Sequence, residues 1–223
     1  MRQPGMARWE TGAVVAALAS ALALGLYNLG GPSLWHDEAV PVYVAKSLLE
    51  TGRPLLPSGH IHPVAPVYNA IMAAFIAAFG DAERVVRLPS VLFAALNVGL
   101  TFLLVRALLG RATAVLAAVA LALSPWSVAW SREARFYTLQ QTFYLLALIA
   151  AWKMMESRER QRAAVWAACA VFAYLLGLGT SLHSVLFLAP VAAYGALMAV
   201  YERRPVSRWS AYAAAAAVVG VAT

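Results

Sequence analysis

Two adjacent carboxylates and a histidine follow directly on the first apolar stretch, in the segment Trp35-His36-Asp37-Glu38-Ala39. A carboxylate at a lipid boundary suits the removal of a proton from a substrate hydroxyl. Apolar surroundings and a like-charged neighbour both raise an Asp pKa above its free value of about 3.9. Capping competes for one of the two acids, because carboxylates in a helix's first turn are stabilised by its free N–H groups and dipole. Pro41, read as part of that first turn, fits such a start. A second cluster, Arg132-Glu133-Ala134-Arg135-Phe136-Tyr137, places two arginines three apart on one helix face. Guanidinium matches phosphate oxygens in a bidentate fork, so the cluster reads as an anion site. The structural alternative is snorkelling, with the arginine stems in lipid and their charges in water. Arg87, ahead of Leu88-Pro89-Ser90, is a further phosphate contact or a snorkelling helix end. His62 precedes Pro63 in a polar loop, and His183 lies between two apolar runs with Ser181 and Ser184 beside it. No HExxH or comparable spacing joins the four histidines, so no zinc site is expected.

These residues need elements that hold them at a membrane surface. With 62% hydrophobic and 12% charged residues and a mean hydropathy of +0.71, the chain has too little polar surface for a water-soluble globule. Apolar stretches run over about 12–30, 63–80, 86–108, 112–130, 136–155, 163–180, 184–201 and 208–223. Lipid admits only helices or closed barrels, and strand-like alternation is missing, so the expected fold is all-α and polytopic. The first stretch resembles a signal peptide in charge, but its length and the spans after it favour a retained anchor. Segment 36–51 differs, because Asp37, Glu38, Lys46 and Glu50 interrupt an apolar set at helical spacing. It reads as an amphipathic interfacial helix. The formal charge of +7 comes mostly from short connections, which makes it an orientation signal and excludes nucleic acid as the expected partner. The single Cys169 lies in an apolar segment, which excludes an intrachain disulfide and argues against a thiol nucleophile.

Sidedness turns on whether 63–80 crosses. If it does, Arg158-Glu159-Arg160-Gln161-Arg162 and Glu202-Arg203-Arg204 face outward, against the positive-inside rule. If it lies on the outer surface, Arg2, Arg8, Arg106, Arg111, Lys153, Arg158, Arg160, Arg162, Arg203, Arg204 and Arg208 are all inside, eleven of the seventeen basic residues. The second arrangement is expected, with a first outer loop of about 31–86 and a second of about 130–136. It gathers His36-Asp37-Glu38, His60, His62, Arg84, Arg87, Arg132 to Arg135, Ser181 and His183 on one outer face. Ionisable groups there are costly unless paired, hydrated or used.

In order and spacing, Trp35-His36-Asp37-Glu38-Ala39, His62-Pro63, Phe79-Gly80, Arg87-Leu88-Pro89-Ser90, Ser124-Pro125 and Arg132-Glu133-Ala134-Arg135-Phe136-Tyr137 resemble the N-terminal half of lipid-dependent membrane glycosyltransferases. These are the GT-C enzymes related to protein O-mannosyltransferases and aminoarabinose transferases. The resemblance covers most of residues 9–200. It implies a polyprenyl-phosphate-linked sugar as donor, and a protein, lipid or glycan acceptor reached from the outer face, here the periplasmic side of a bacterial inner membrane. It implies Asp37 as catalytic base and Glu133 as the family's second outer-loop acidic residue; Glu38, the other member of the acidic pair, is a further candidate. The resemblance maps its arginine to Arg87 and its histidine position to His62; with the residues read above, the candidate donor and substrate contacts are Arg87, Arg132, Arg135, His62, Tyr137 and His183. The family's second proline after His62 is replaced by Val64, and many relatives carry Asp where Glu133 stands. No cofactor is assigned, a divalent metal being compatible with such chemistry. The chain is expected to be the N-terminal part of a longer enzyme, since members have more spans. A lipid or solute transporter would carry charges near span centres, which are almost uncharged here. A non-catalytic membrane subunit of the same fold is the other alternative.

Overall fold

The computed structural model describes residues 7–187. Among these residues the secondary structure is eight α-helices and one 3-10 helix, with a lone Leu55–Ile61 bridge in a loop. They are α1 (Arg8–Leu26), α2 (His36–Thr51), α3 (Pro66–Phe79), α4 (Glu83–Leu109), α5 (Arg111–Leu123), α6 (Pro125–Ser131), α7 (Tyr137–Glu156), α8 (Arg160–Leu178) and the 3-10 turn Leu182–Phe187. The chain is an all-α polytopic membrane protein. Helices α1, α4 and α8 are long and apolar enough to cross a bilayer, and α5 with α6 forms a bent fourth candidate. Helix α7 is 20 residues long but carries Gln140 and Gln141 in its first half, and it falls outside that group. The expected stretches 184–201 and 208–223 lie wholly or almost wholly outside the described residues.

Two polar ends define the bundle. At one, Glu10 of α1 is fully buried between Arg106 Nε (3.3 Å) and Arg111 Nε (3.1 Å), which fastens the start of α1 to the α4–α5 corner. Helix α1 has 19 residues, so the other end lies roughly 28 Å away. That second end holds the loop 29–33, α2, the start of α4 and the α6–α7 loop, and is called the loop pole below.

Helix α3 stays at the loop pole. Its start is tied there by Tyr68 OH to Ser90 Oγ (3.1 Å) and by Val67 N–H donating to Gly179 O (3.2 Å). Its end turns at Gly80 into Asp81, which pairs with Lys46 of α2, and α4 begins at Glu83. Both ends of α3 are therefore near one surface, and this largely apolar helix of 14 residues does not traverse the bundle.

The stretch expected as one span over 112–130 is instead broken, α5 and α6 meeting at 57°. Pro125 has no N–H to continue the α5 ladder, and Ser124 takes an extended backbone. The Ser124 hydroxyl then accepts from Ser127 N–H (3.4 Å) and caps the new helix. The bend sends α6 across the pole and delivers residues 131–136 to the site.

Small residues set the helix spacing. Ala114, Ala118 and Ala122 form a buried stripe on α5 facing Val14, Ala17 and Ala21 of α1, with Val98 and Phe102 of α4. Small side chains let backbones approach where lipid removes the hydrophobic drive between helices. At Gly25 a Cβ would stand 2.8 Å from Val91 Cγ1. Gly25→Leu is expected to destabilise the protein by about 1–3 kcal/mol through overpacking, read as a lowered midpoint of unfolding in detergent. Gly99, with nothing within 4 Å of its Cβ position, is the control: Gly99→Ala leaves the midpoint unchanged or raises it.

Candidate active site

The site is organised by one buried carboxylate. Glu38, third in α2, reaches back to the Trp35 N–H (3.4 Å), so the capping role falls to Glu38 and leaves Asp37 for other uses. Pro41 stands within the body of α2, beyond the first turn where it was expected. Glu38 Oε1 also accepts from Arg87 Nε (2.8 Å) and Ala134 N–H (2.8 Å), and Oε2 from Arg87 Nη2 (2.7 Å). The carboxylate is 1% exposed and the guanidinium 4%. Burial raises the Glu38 pKa, but the Arg87 fork and the Ala134 and Trp35 N–H groups outweigh it and hold the carboxyl below its ordinary value.

Arg87 was expected at a donor phosphate. In the structure Nη1 donates to Leu29 O (2.9 Å) and Pro32 O (2.8 Å), and Nη2 donates to Ser33 O (3.2 Å) besides Glu38. With Nε on Glu38, all five N–H groups are engaged. Arg87 therefore ties α4 to α2 and the 29–33 loop and has no N–H left for a phosphate. Glu38, expected as a further acidic site residue, has both oxygens occupied.

Asp37 is different. Its side chain is 44% exposed, and Oδ2 is 3.0 Å from Arg135 Nη1, which also donates to the Asp37 carbonyl (3.1 Å). Arg135 Nη2 donates to Tyr137 OH (2.8 Å), and the guanidinium lies 5.2 Å from the Tyr137 ring centroid and 5.7 Å from that of Phe136. Trp130 packs edge-on against Tyr137 at 4.3 Å, with Trp126 edge-on against Trp130. Arg135 is thus held by Asp37 and the aromatic cluster through its two terminal nitrogens, with Nε buried and unpaired.

Glu133 and Arg132 complete the group. Glu133 Oε2 is buried without a hydrogen-bond partner. Its pKa is raised, first by burial and then by the Glu38 charge and more weakly that of Asp37, against the lowering influence of Arg135 and Arg87. Arg132 caps α6 through its backbone, and among the described residues its guanidinium has no hydrogen bond or ion pair. Chain position places Glu133 and Arg132 next to the clasped Ala134.

His62 and His183 are not joined to this cluster by any hydrogen bond or ion pair among the described residues. His62 N–H donates to Pro54 O (2.8 Å) in the α2–α3 loop, and His183 Nδ1 lies 3.2 Å from Ser181 Oγ. Both loops flank the Val67–Gly179 contact, so they belong to the loop pole but to another part of it. Among the described residues no three His, Cys, Asp or Glu are placed to hold a metal ion.

Sequence reasoning missed Asn97, Thr138, Gln141 and Thr142. Asn97 Nδ2 donates to Thr138 O (2.8 Å) and Gln141 Oε1 (3.1 Å), and Thr142 Oγ1 donates to Asn97 Oδ1 (2.7 Å). This buried ladder fixes α7 against α4 and so fixes where the 132–136 loop begins. A lone Asn within an apolar helix was the available signal.

A sequence model of the dolichyl-phosphate-mannose-protein mannosyltransferase family matches residues 62–223. The fold matches ArnT from Cupriavidus metallidurans in its apo crystal structure, with a TM-score of 0.75 and 17% identity over 94% of this chain and 40% of that one. It also matches the oligosaccharyltransferase AglB from Archaeoglobus fulgidus, solved with an inhibitory peptide and a dolichol-phosphate, with a TM-score of 0.68 and 14% identity over 86% of this chain and 26% of AglB. No curated protein matches at a significant level. The chain therefore spans less than half the length of either solved relative.

Proposed function

Because the chain belongs to the dolichyl-phosphate-mannose-protein mannosyltransferase family, we propose that it transfers a sugar from a polyprenyl-phosphate-linked donor to an acceptor hydroxyl, with Asp37 as the base. The carrying observation is the division of labour between neighbouring acids. Glu38 is buried and fully hydrogen-bonded, while Asp37 beside it is accessible and held by Arg135. A base must present a lone pair to substrate, and only Asp37 of this pair does so.

In the proposed reaction Asp37 takes the hydroxyl proton as the oxygen attacks the anomeric carbon. The bond to the phosphate oxygen breaks in the same displacement, with inversion. Polyprenyl phosphate leaves as an anion, and positive charge near it lowers the barrier. Arg132 is the guanidinium whose donors are all unspent for that phosphate, whereas Arg135 keeps only Nε without a partner. Glu133, whose burial favours the neutral form, offers its unpaired oxygen to a phosphate oxygen or to the acceptor. Arg135 and Tyr137 orient Asp37 and do not leave it for the phosphate. His62 and His183 are proposed contacts for the more distant parts of donor or acceptor.

The loop pole is proposed to face the exterior, the periplasm of a bacterial inner membrane, with the N-terminus in the cytoplasm. Support comes from Arg8, Arg106, Arg111 and the α7–α8 connection, all at the opposite pole as the positive-inside rule requires of a cytoplasmic side. The dolichol-phosphate and peptide in AglB support a lipid-linked donor and a peptide as one acceptor class.

Arg132→Gln tests the phosphate assignment. It is expected to weaken binding of undecaprenyl phosphate by about 10- to 100-fold, as for loss of a charged hydrogen bond of about 1.5–3 kcal/mol. Unchanged affinity in a titration of the purified protein would remove Arg132 from the donor site.

A further inference from the structure

Pro41 interrupts the backbone ladder of α2 at one particular place. An α-helical residue donates its N–H to the carbonyl four positions earlier, which for position 41 is Asp37. Proline has no N–H, and its ring crowds that same carbonyl. The Asp37 carbonyl is therefore left without its i+4 donor, and Arg135 Nη1 takes it at 3.1 Å while standing 3.0 Å from Asp37 Oδ2. A single nitrogen from the α6–α7 loop thus holds both the backbone and the side chain of Asp37. The same guanidinium is anchored from behind by Tyr137 OH at 2.8 Å.

We propose that Pro41 is a positioning residue for sugar transfer: by withholding an N–H from the Asp37 carbonyl it leaves that oxygen to Arg135, which fixes the direction of the Asp37 carboxylate. A proline in a helix interior is unfavourable relative to alanine, because it lacks the N–H and crowds the preceding turn. Helix α2 continues to Thr51 and ends on the left-handed Gly52. The cost is met by a contact between α2 and the α6–α7 loop, 98 residues apart in sequence. The inference rests on the reading of Asp37 as base.

The test compares Pro41→Ala with Pro41→Ala/Arg135→Lys, Arg135→Lys and Asp37→Asn in the full chain in membranes. Transfer is followed from undecaprenyl-phosphate mannose to a serine-containing peptide. Pro41→Ala restores the N–H and is expected to leave the unfolding midpoint unchanged or higher, while kcat falls about 10- to 100-fold, the size expected of a misaligned reacting group. The donor KM stays within about twofold, because no phosphate contact is touched. Arg135→Lys, which cannot span Asp37 and Tyr137 together, is expected to lose a similar factor, and the double variant to lose little more than either single one. Wild-type kcat in Pro41→Ala, a kcat loss accompanied by a lowered midpoint, or fully additive losses would overturn the proposal. Asp37→Asn separates its fate from that of the base assignment. An active Asp37→Asn removes the base reading, whereas an inactive Asp37→Asn beside a wild-type Pro41→Ala removes only the role of Pro41.

Discussion

Asp37→Asn is expected to lower sugar transfer from a polyprenyl-phosphate donor by about 10²–10⁴-fold, the usual cost of losing a positioned base. The substitution keeps the size of the side chain and leaves an amide oxygen for Arg135, so the protein should fold and accumulate normally. It removes the lone pair that accepts the hydroxyl proton. Donor binding should change little, because Asp37 is committed to Arg135 and not to a phosphate. Initial rates in membranes, normalised to folded protein, give the comparison. Glu38→Gln cannot serve as an equivalent control, because it disturbs a carboxylate that three other elements depend on.

The second large effect is on stability. Arg87→Met is expected to destabilise the protein by about 3–5 kcal/mol, the cost of leaving one member of a buried ion pair without its partner. Glu38 at 1% exposure would keep the Ala134 and Trp35 N–H groups but lose the fork, and the 29–33 carbonyls would lose three donors. Detergent-solubilised protein unfolded by heat or denaturant reports the change. The pH dependence has a definite sign, because the folded pKa of Glu38 lies below its ordinary value of 4.5. The contribution of the pair is complete above that ordinary value and is lost as pH falls through the lowered folded value. Arg87→Met should therefore differ most from wild type near neutral pH, with the gap narrowing in acid.

The sequence revealed elements better than partners. Helix α2 was legible with its bounds because acidic residues open it and an apolar set recurs at helical spacing. That α3 stays at one surface was legible from charge alone, since the alternative put basic loops on the wrong side. The break at Ser124-Pro125 was visible as a motif yet read as part of one span, because hydropathy continues across it while the backbone does not. Arg87 shows the deeper limit. From its position an arginine at a helix start looks free to bind an anion, and its actual partners lie 49 to 58 residues away. Glu38 likewise meets Ala134 across 96 residues. Pro41 was noticed and given the wrong reason, since its effect is felt at the carbonyl of Asp37 and only the fold brings Arg135 there.

The most direct measurement is a structure of the full chain with undecaprenyl phosphate bound. The phosphate is expected at the loop pole, within hydrogen-bond reach of Arg132 and close to Asp37 and Glu133, with Arg87 still engaged by Glu38. A phosphate held instead at the opposite pole, among Arg106, Arg111 and Glu10, would contradict Asp37 as the base and the proposed orientation together.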